Sequence, residues 1–392
     1  MMGKIAIKRL LVAVVTLCLS AGVAKAMNTT EPSGAGVVES MMGGASIANP
    51  VTSAIAADNP AGMAYVGSRF DFGFQLFNGK AESSFANPSN TQSFVSIGPI
   101  PSGGVNFDLT DRWSAGVSIS STGGGANYHY PALPIPGAPP AQSKAIFANF
   151  WPTVTYKVTP NLAVGLSAII GIQKFEAQGL LGAAPDGSIA VLPTHGMSTT
   201  YGYGGAVGAI WKVNPYVTVG ASYSSKIRFS RANGYEDDLF SSGGGHLDEP
   251  ARFGVGVAFH ITPDLTLATD LVRIQWTNVD VLADPKTFGL HNQTVLRIGA
   301  SWDVNNAITL RIGGNHSTNA MDSNHTLANY YVPLILTDSV SGGVTWHATK
   351  KVDLSAGFEY NFPKTLVGTG PSTGTNLHAR YSLFMLNFSN RF

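Results

Sequence analysis

Apolar and polar residues alternate at every second position along most of this chain. The pattern is clearest over residues 70–76, 162–173, 296–302 and 308–312, where large apolar side chains are separated by small or polar ones. A period of two is that of an extended strand, because successive side chains of a strand point to opposite faces. The pattern therefore predicts an all-β protein whose strands each have one apolar face and one polar or small face.

The last segment of the chain carries the same pattern up to a terminal aromatic residue. Phe384, Leu386 and Phe388 alternate with smaller side chains, and the sequence ends at Phe392. Bacterial outer-membrane β-barrels end in a strand of this kind. In such barrels lipid-facing residues alternate with lumen-facing ones, so no long apolar run is needed to cross the membrane. We therefore predict a transmembrane antiparallel β-barrel over residues 68–392.

The connections between the predicted strands alternate in length. Turn-forming residues mark six short connections, near 110–111, 159–161, 214–215, 262–264, 305–306 and 349–350. Seven longer connections lie between them, near 80–99, 121–144, 176–198, 231–250, 278–292, 318–337 and 362–378. This predicts about fourteen strands, with short turns on the periplasmic side and long loops outside.

The N-terminus has the pattern of a secretory signal peptide, residues 1–26. Basic residues precede an apolar stretch, and Ala24-Lys25-Ala26 fits the small-x-small cleavage pattern. The stretch of about 14 apolar residues is shorter than the roughly 20 that a membrane helix needs. Cleavage would remove Cys18, the only cysteine, so the mature chain is expected to have no disulfide and no cysteine metal site.

Residues 27–67 are left between the signal peptide and the first strand. They are rich in Gly, Ala and Ser, alternate poorly, and include scattered apolar residues such as Met41, Ile47 and Met63. A disordered tail would be more polar. We therefore predict that this segment is a plug inside the barrel.

Charge and composition narrow the class further. Only 12% of the residues are charged, about half of the usual share. The basic and acidic residues, 24 and 23, nearly balance, which argues against a nucleic-acid partner. A secreted β-sandwich is the alternative fold, but a chain of this length would usually need more than one such domain.

Several short stretches, in this order, resemble the FadL family of outer-membrane transporters for long-chain fatty acids and other hydrophobic compounds. Asn59-Pro60-Ala61, within a Gly/Ala-rich N-terminal segment, resembles the hatch of the family, and this motif is specific only in order with the other stretches. The similar stretches are residues 43–45, 57–64, 111–116, 152–157 and 221–227. The resemblance runs from about residue 34 to Phe392, and the fourteen strands of the family agree with the number predicted above.

The resemblance implies diffusion of a hydrophobic solute without an energy source. A ligand would bind between the outer loops, the hatch would shift, and the solute would leave sideways beside an inward kink of the third strand. That kink maps to Gly123, Gly124 and Gly125, where glycines lower the cost of a bend. The alternative is that these glycines simply begin a flexible outer loop.

The alternation of faces along each strand, called parity here, predicts which side chains point into the lumen and are candidate ligand contacts. The apolar candidates are Phe147, Trp151, Tyr381, Leu383 and Met385, which could equally fill the barrel against the plug. The basic candidates for a carboxylate head group are Lys226, Arg228, Arg297 and Arg311. Their alternative role is pairing with inward Asp71, Asp353 and Glu359.

The predicted function is passive uptake of fatty acids or of aromatic or aliphatic hydrocarbons by a monomer in contact with outer-membrane lipid and lipopolysaccharide. No cofactor and no metal ligand set is predicted, and the sequence has no G-x-S-x-G nucleophile motif, so an enzyme is not expected. Two rival functions stay open, a structural or adhesin barrel without a transport role and a porin for polar solutes.

Overall fold

The structure, a computed structural model, describes residues 33–183 and 189–392 of the chain. The predicted signal peptide, residues 1–26, lies outside the described residues, as do the first residues of the predicted plug. The described part contains seventeen strands and three helices of four residues each. None of these helices is long and apolar enough to cross a membrane.

The bounds of these elements are as follows. The strands are β1 (Arg69–Ser84), β2 (Thr91–Asp108), β3 (Trp113–Asn127), β4 (Gln142–Thr159), β5 (Leu162–Gln178), β6 (Leu181–Ala183), β7 (Ile189–Val191), β8 (Ser198–Asn214), β9 (Val217–Ser224), β10 (Arg228–Phe229), β11 (Ala251–Thr262), β12 (Leu265–Gln275), β13 (Gln293–Asn305), β14 (Ile308–Ser317), β15 (Asp338–His347), β16 (Val352–Leu366) and β17 (Leu377–Arg391). The helices are α1 (Val37–Ser40), α2 (Asp280–Ala283) and α3 (Thr326–Asn329).

Fifteen of the described strands form one antiparallel sheet that closes into a barrel. β1 pairs with β17 along its length, and β8 pairs with β5, β9 and β10. The two-residue strand β10 continues the line of β9 beside β8 after a break, so the wall of the barrel has fourteen strands. The prediction of a fourteen-stranded transmembrane barrel is therefore confirmed.

The outer surface of the wall is apolar, the reverse of a soluble protein. In β5, Leu166 and Ile170 are exposed, whereas Ala163 and Ser167 are buried on the lumen side. Exposed Trp113, Trp211, Trp302 and Trp346 all lie within a few residues of the short turns. Tryptophan concentrates at membrane interfaces, where an amphipathic ring meets both lipid and water, so this belt marks the short-turn edge of the membrane span.

The first outer connection is shorter than predicted. β1 and β2 pair without interruption as far as Ser84 and Thr91, so the connection covers residues 85–90 rather than 80–99. The strands continue because Val95 and Ile97 keep the alternation, with their side chains exposed on the outer face. The barrel wall therefore projects further on this side than the turn residues of the sequence indicate.

Residues 33–66, called the inner segment from here on, are packed within the barrel. Met41 and Met63 are fully buried. Wall carboxylates hold the backbone: Asp270 Oδ2 accepts hydrogen bonds from the N–H groups of Ser46 (2.8 Å) and Ile47 (3.0 Å). Polar interactions with the wall thus fix a segment that has almost no regular secondary structure.

Lumen-facing glycines let the inner segment approach the wall closely. A Cβ at Gly165 would collide with the backbone of Pro60, and one at Gly208 would collide with Asn59 Oδ1. A Cβ at Gly313 would collide with the backbone N–H of Gly43. The small residues on the polar face of the predicted strands therefore make room for this segment.

Candidate functional site

The hydrogen-bonded wall is interrupted between β2 and β3. β3 stays paired with β4 from Trp113 to Asn127, but its pairing with β2 stops at Gly103 and Ile119. Only six residue pairs join β2 and β3, counted from the short-turn side. A strand needs about 9–11 residues to cross the hydrocarbon region, so the interruption begins within the membrane span. We call this interruption, between residues 91–102 and 120–127, the β2–β3 gap.

β3 changes its burial pattern at the gap, although it stays paired with β4. Ser121 to Ala126 are all buried, so the alternation of exposed and buried residues that marks a wall strand is lost. Gly125 has φ 151°, which a side chain would strain, and a Cβ there would collide with the backbone of Ser143. The glycines predicted for the kink, Gly123, Gly124 and Gly125, lie within this buried run.

The space behind the gap is narrow. A cavity of about 20 Å³ lies between the inner segment at Gly34 and the β3 residues Ser121 and Thr122. That volume holds roughly one water molecule. This space is therefore smaller than a hydrocarbon molecule.

All five apolar candidates are buried on the lumen side, in two groups. Phe147 packs edge to face against Phe229, with ring centroids 5.9 Å apart. Trp151 lies next to the gap, because its Nε1 donates to Ser120 Oγ at 2.9 Å. The second group lies on β17, where the ring of Tyr381 contacts that of Phe77 at 5.0 Å. Leu383 and Met385 continue this group along the strand and are also buried.

Two of the basic candidates already have acidic partners. Lys226 Nζ lies 3.1 Å from Asp248 Oδ2, and Arg297 Nη1 lies 3.2 Å from Asp58 Oδ1. Asp58 belongs to the inner segment, so the second ion pair joins that segment to the wall. These cations are neutralised where a fatty acid head group would need them free.

The other two basic candidates differ in orientation. Arg311 Nη1 donates to Thr345 Oγ1 at 2.6 Å between two wall strands. Parity predicted that Arg228 faces the lumen, but its side chain is exposed, and its neighbours Ile227 and Phe229 are buried instead. The break between β9 and β10 shifts the alternation, which is why parity gives the wrong face there.

Two of the three acidic residues proposed as alternative partners pair with other cations. Asp71 receives the guanidinium of Arg69 at 2.6 Å. Asp353 pairs with Arg391 and with His347, the latter at 2.8 Å. Asp71 and Asp353 thus have cationic partners of their own and do not neutralise the basic candidates.

The sequence pattern did not identify two polar residues near the gap, Arg252 and Asn149. The guanidinium of Arg252 lies 5.7 Å from the ring centroid of Trp151, within cation–π range. Asn149 Nδ2 donates to Glu249 Oε2 at 2.7 Å beside it. Parity applied to β11 would have found Arg252, because it shares the lumen face with Gly254 and Gly256.

Aromatic residues of the outer loops pack together at the long-loop end of the barrel. Tyr128 and Tyr330 stack with ring centroids 4.2 Å apart, and Tyr128 Oη donates to the carbonyl of Tyr330 at 2.9 Å. Phe94 of β2 meets Tyr128 edge to face at 4.9 Å. Residues 128–140, an apolar loop that the sequence left between a capture groove and loop packing, therefore begin in a packed aromatic cluster.

A histidine fastens two outer loops to each other. His325 Nδ1 lies 2.7 Å from Asp322 Oδ1, and its Nε2 lies 2.9 Å from the carbonyl oxygen of Pro285. Both partners are acceptors, so the imidazole fits best when it is protonated. Burial lowers the pKa of His325, but the Pro285 and Asp322 contacts outweigh it and raise the pKa above 6.5. Burial raises the pKa of Asp322, but hydrogen bonds from His291, His325 and the backbone outweigh it and lower the pKa.

We expect this contact to make loop protection pH-dependent. The raised pKa of His325 stabilises the folded loop fully below pH 6.5, and the contribution is lost as pH rises through the folded pKa. The lowered pKa of Asp322 contributes above pH 3.8 and is lost as pH falls through its folded value. The protection factors of the amides of residues 318–337, which are exchange rates corrected for the intrinsic pH dependence of exchange, should therefore be largest between about pH 4 and 6.5. His325→Gln should abolish the loss of protection that the wild type shows above pH 6.5. The control His129→Asn, in another loop, should leave that loss unchanged. If His325→Gln still loses protection above pH 6.5 as the wild type does, the assignment to His325 is wrong.

Comparison with known proteins gives one family and several similar structures. The family model described as outer membrane protein transport protein (OMPP1/FadL/TodX) matches residues 12–386. The toluene transporter TodX of P. putida has a TM-score of 0.68 at 18% identity, covering 92% of this chain and 99% of its own. A Pseudomonas aeruginosa FadL homologue has a TM-score of 0.68 at 16% identity, covering 95% and 100%. The Ralstonia pickettii toluene transporter TbuX has a TM-score of 0.63 at 17% identity, covering 92% and 99%. No curated protein sequence gives a significant match.

Proposed function

The chain belongs to the OMPP1/FadL/TodX family of outer membrane transport proteins, and we propose that it passes hydrophobic compounds inward by diffusion and releases them sideways through the β2–β3 gap. The family consists of multi-pass outer-membrane channels for hydrophobic compounds rather than enzymes. The observation that carries the release route is the early end of the ladder between β2 and β3.

Lateral release is favoured by the solvents on each side of the wall. Transfer of an apolar solute into water costs about 0.8 kcal/mol for each methylene group. An exit within the hydrocarbon region avoids that cost, whereas an exit along the barrel axis into the periplasm does not. The gap begins too close to the short-turn edge to lie outside the membrane span, which supports this route.

The inner segment is proposed as the hatch, within the predicted limits 27–67. Asn59 lies at its centre: its Nδ2 donates to the carbonyls of Ile47 (2.8 Å) and Ala209 (3.2 Å), and its Oδ1 accepts from the Ala61 N–H. With Pro60 it forms the start of a buried 3-10 turn, residues 60–64. Movement of this turn is the step that would widen the space behind the gap. The exposed apolar wall is proposed to contact membrane lipid and lipopolysaccharide, with one barrel acting as a monomer.

We propose uncharged hydrocarbons, aromatic or aliphatic, rather than fatty acids as the principal substrates. Lys226 and Arg297, two of the predicted head-group contacts, are neutralised by Asp248 and Asp58. Binding a carboxylate there would first require breaking a largely buried ion pair, which is costly. Two of the structurally similar proteins are toluene transporters, and toluene belongs to the proposed class.

Uptake by cells that lack their own hydrophobic-compound channels tests this proposal. Expression of the chain should raise the initial rate of labelled toluene uptake above that of labelled oleate. The double variant Lys226→Ala/Arg228→Ala should leave toluene uptake unchanged, because neither side chain faces an open substrate site. Oleate uptake that exceeds toluene uptake and falls in the double variant would restore the fatty-acid assignment. Uptake of neither compound would favour the adhesin function, and sugar-driven liposome swelling would favour a porin.

A further inference from the structure

A second and larger cavity lies at the short-turn end of the barrel, away from the gap. Its volume is about 430 Å³. The inner segment lines one side with Asn49, Pro50 and Tyr65, and the wall lines the other with Lys212 and His260. Ligand pockets typically enclose about 300–1,000 Å³, so the cavity is large enough for a small organic molecule.

Two lysines approach one aromatic ring of this cavity: Lys212 lines the cavity, and Lys157 reaches the same ring from beside it. Lys212 Nζ lies 4.0 Å from the centroid of the Tyr65 ring, and Lys157 Nζ lies 5.9 Å from it. By alternation with their outer-face neighbours Trp211 and Tyr156, both lysines lie on the lumen side of their strands, where Lys212 is exposed to solvent near the end of β8. The ring attracts both ammonium groups, but it does not cancel their mutual repulsion.

Neither lysine has an acidic partner among the described residues, since no ion pair recorded there includes Lys157 or Lys212. His260, the remaining basic group of the cavity, contacts the hydroxyls of Thr218 (3.3 Å) and Thr266 (3.1 Å). At the same edge of the barrel Arg391 pairs with Asp353. Lys157, Lys212 and His260, by contrast, form no ion pair recorded among the described residues.

We propose that this cavity is a binding site for small organic carboxylates with an apolar body. A carboxylate between Lys157 and Lys212 would relieve their repulsion through charge-assisted hydrogen bonds. Its apolar body would lie against Pro50, Ile210 and the Tyr65 ring. A bare inorganic anion would leave these apolar contacts unused. The site requires only binding and does not depend on the proposed uptake of hydrocarbons.

The site also joins two parts of the molecule. Pro50 and Tyr65 come from the chain that enters the barrel, whereas both lysines come from the wall. A bound carboxylate would contact both parts at once. Occupancy should therefore protect the bond after Tyr65 against chymotrypsin added to the detergent-solubilised protein.

Fluorine NMR titration of the full chain in detergent micelles tests the proposal. The probes are 4-fluorobenzoate and its neutral counterpart, 4-fluorobenzyl alcohol. We expect the wild type to bind the acid at least about tenfold more tightly than the alcohol, the range of one or two charge-assisted hydrogen bonds. Lys212→Met should weaken acid binding about tenfold and leave the alcohol unchanged, and Lys212→Arg should retain most of the affinity.

Lys351→Met is the matched control, because it removes an exposed lysine from a turn at the same end. Equal binding of acid and alcohol by the wild type would overturn the proposal. An effect of Lys351→Met as large as that of Lys212→Met would also overturn it, since the micelle surface would then account for binding. Displacement of the acid by inorganic phosphate at lower concentration would assign the site to phosphate groups instead.

Discussion

Filling the β2–β3 gap is expected to stop most uptake: Ser121→Trp should lower the initial rate of toluene uptake by roughly 5- to 100-fold. Ser121 is buried, its hydroxyl has no hydrogen-bond partner, and it lines the narrow cavity behind the gap. An indole there must be displaced whenever a solute passes, and overpacking of this kind costs about 1–3 kcal/mol. Labelled toluene uptake by cells, normalised to the amount of folded barrel, measures the effect.

Thr199→Trp is the control for this experiment. Thr199 is exposed on the outer face of β8, so the variant adds the same side chain without narrowing the gap. It should take up toluene at the wild-type rate. Full uptake by a correctly folded Ser121→Trp protein would exclude the gap as the exit and favour passage along the barrel axis.

Gly208→Val is expected to displace the inner segment from the wall and to make the barrel permeable to small polar solutes. A Cβ at Gly208 would collide with Asn59 Oδ1 and lie 3.1 Å from Pro60 Cδ. The amide of Asn59 would then lose its hydrogen bonds to Ile47 and Ala209. We expect a loss of about 1–3 kcal/mol in the free energy of unfolding and a severalfold rise in arabinose entry into proteoliposomes.

Gly205→Val, on the same strand, separates this effect from the general cost of valine for glycine. The nearest atom to a Cβ at Gly205 is the carbonyl oxygen of Ser167 at 3.7 Å, an ordinary contact. Arabinose entry in this variant should stay at the wild-type rate. If both variants leak equally, a loosened wall explains the result, and the contact with Asn59 does not matter.

The wall of the barrel was predictable because its signal is local. Each strand repeats one rule, large apolar outward and small or polar inward, and each short turn carries its own turn residues. The rule failed at Arg228, where the break between β9 and β10 shifts the alternation without any change in composition. It also made the first outer connection too long, since Val95 and Ile97 belong to β2 and continue its alternation.

The interior was harder to predict because its partners are far apart in sequence. Parity identified Arg297 as inward, but only the fold brings it to Asp58. The gap is a property of two strands at once: β3 keeps β4 and loses β2 at Ile119, four residues before the first glycine of the predicted kink. No pattern within a single strand records which neighbour it leaves.

The pairing of β1 with β17 also determines when the barrel can close during folding. Ser33 Oγ donates to Glu359 across 326 positions, and the first and last wall strands close around that contact. Contacts between such distant residues form slowly, because the intervening chain must first be ordered. Until then β1 and β17 are two free edges, each able to pair with another chain and aggregate. We therefore expect the wall to close and the inner segment to be enclosed late in folding, with the chain prone to aggregation until then.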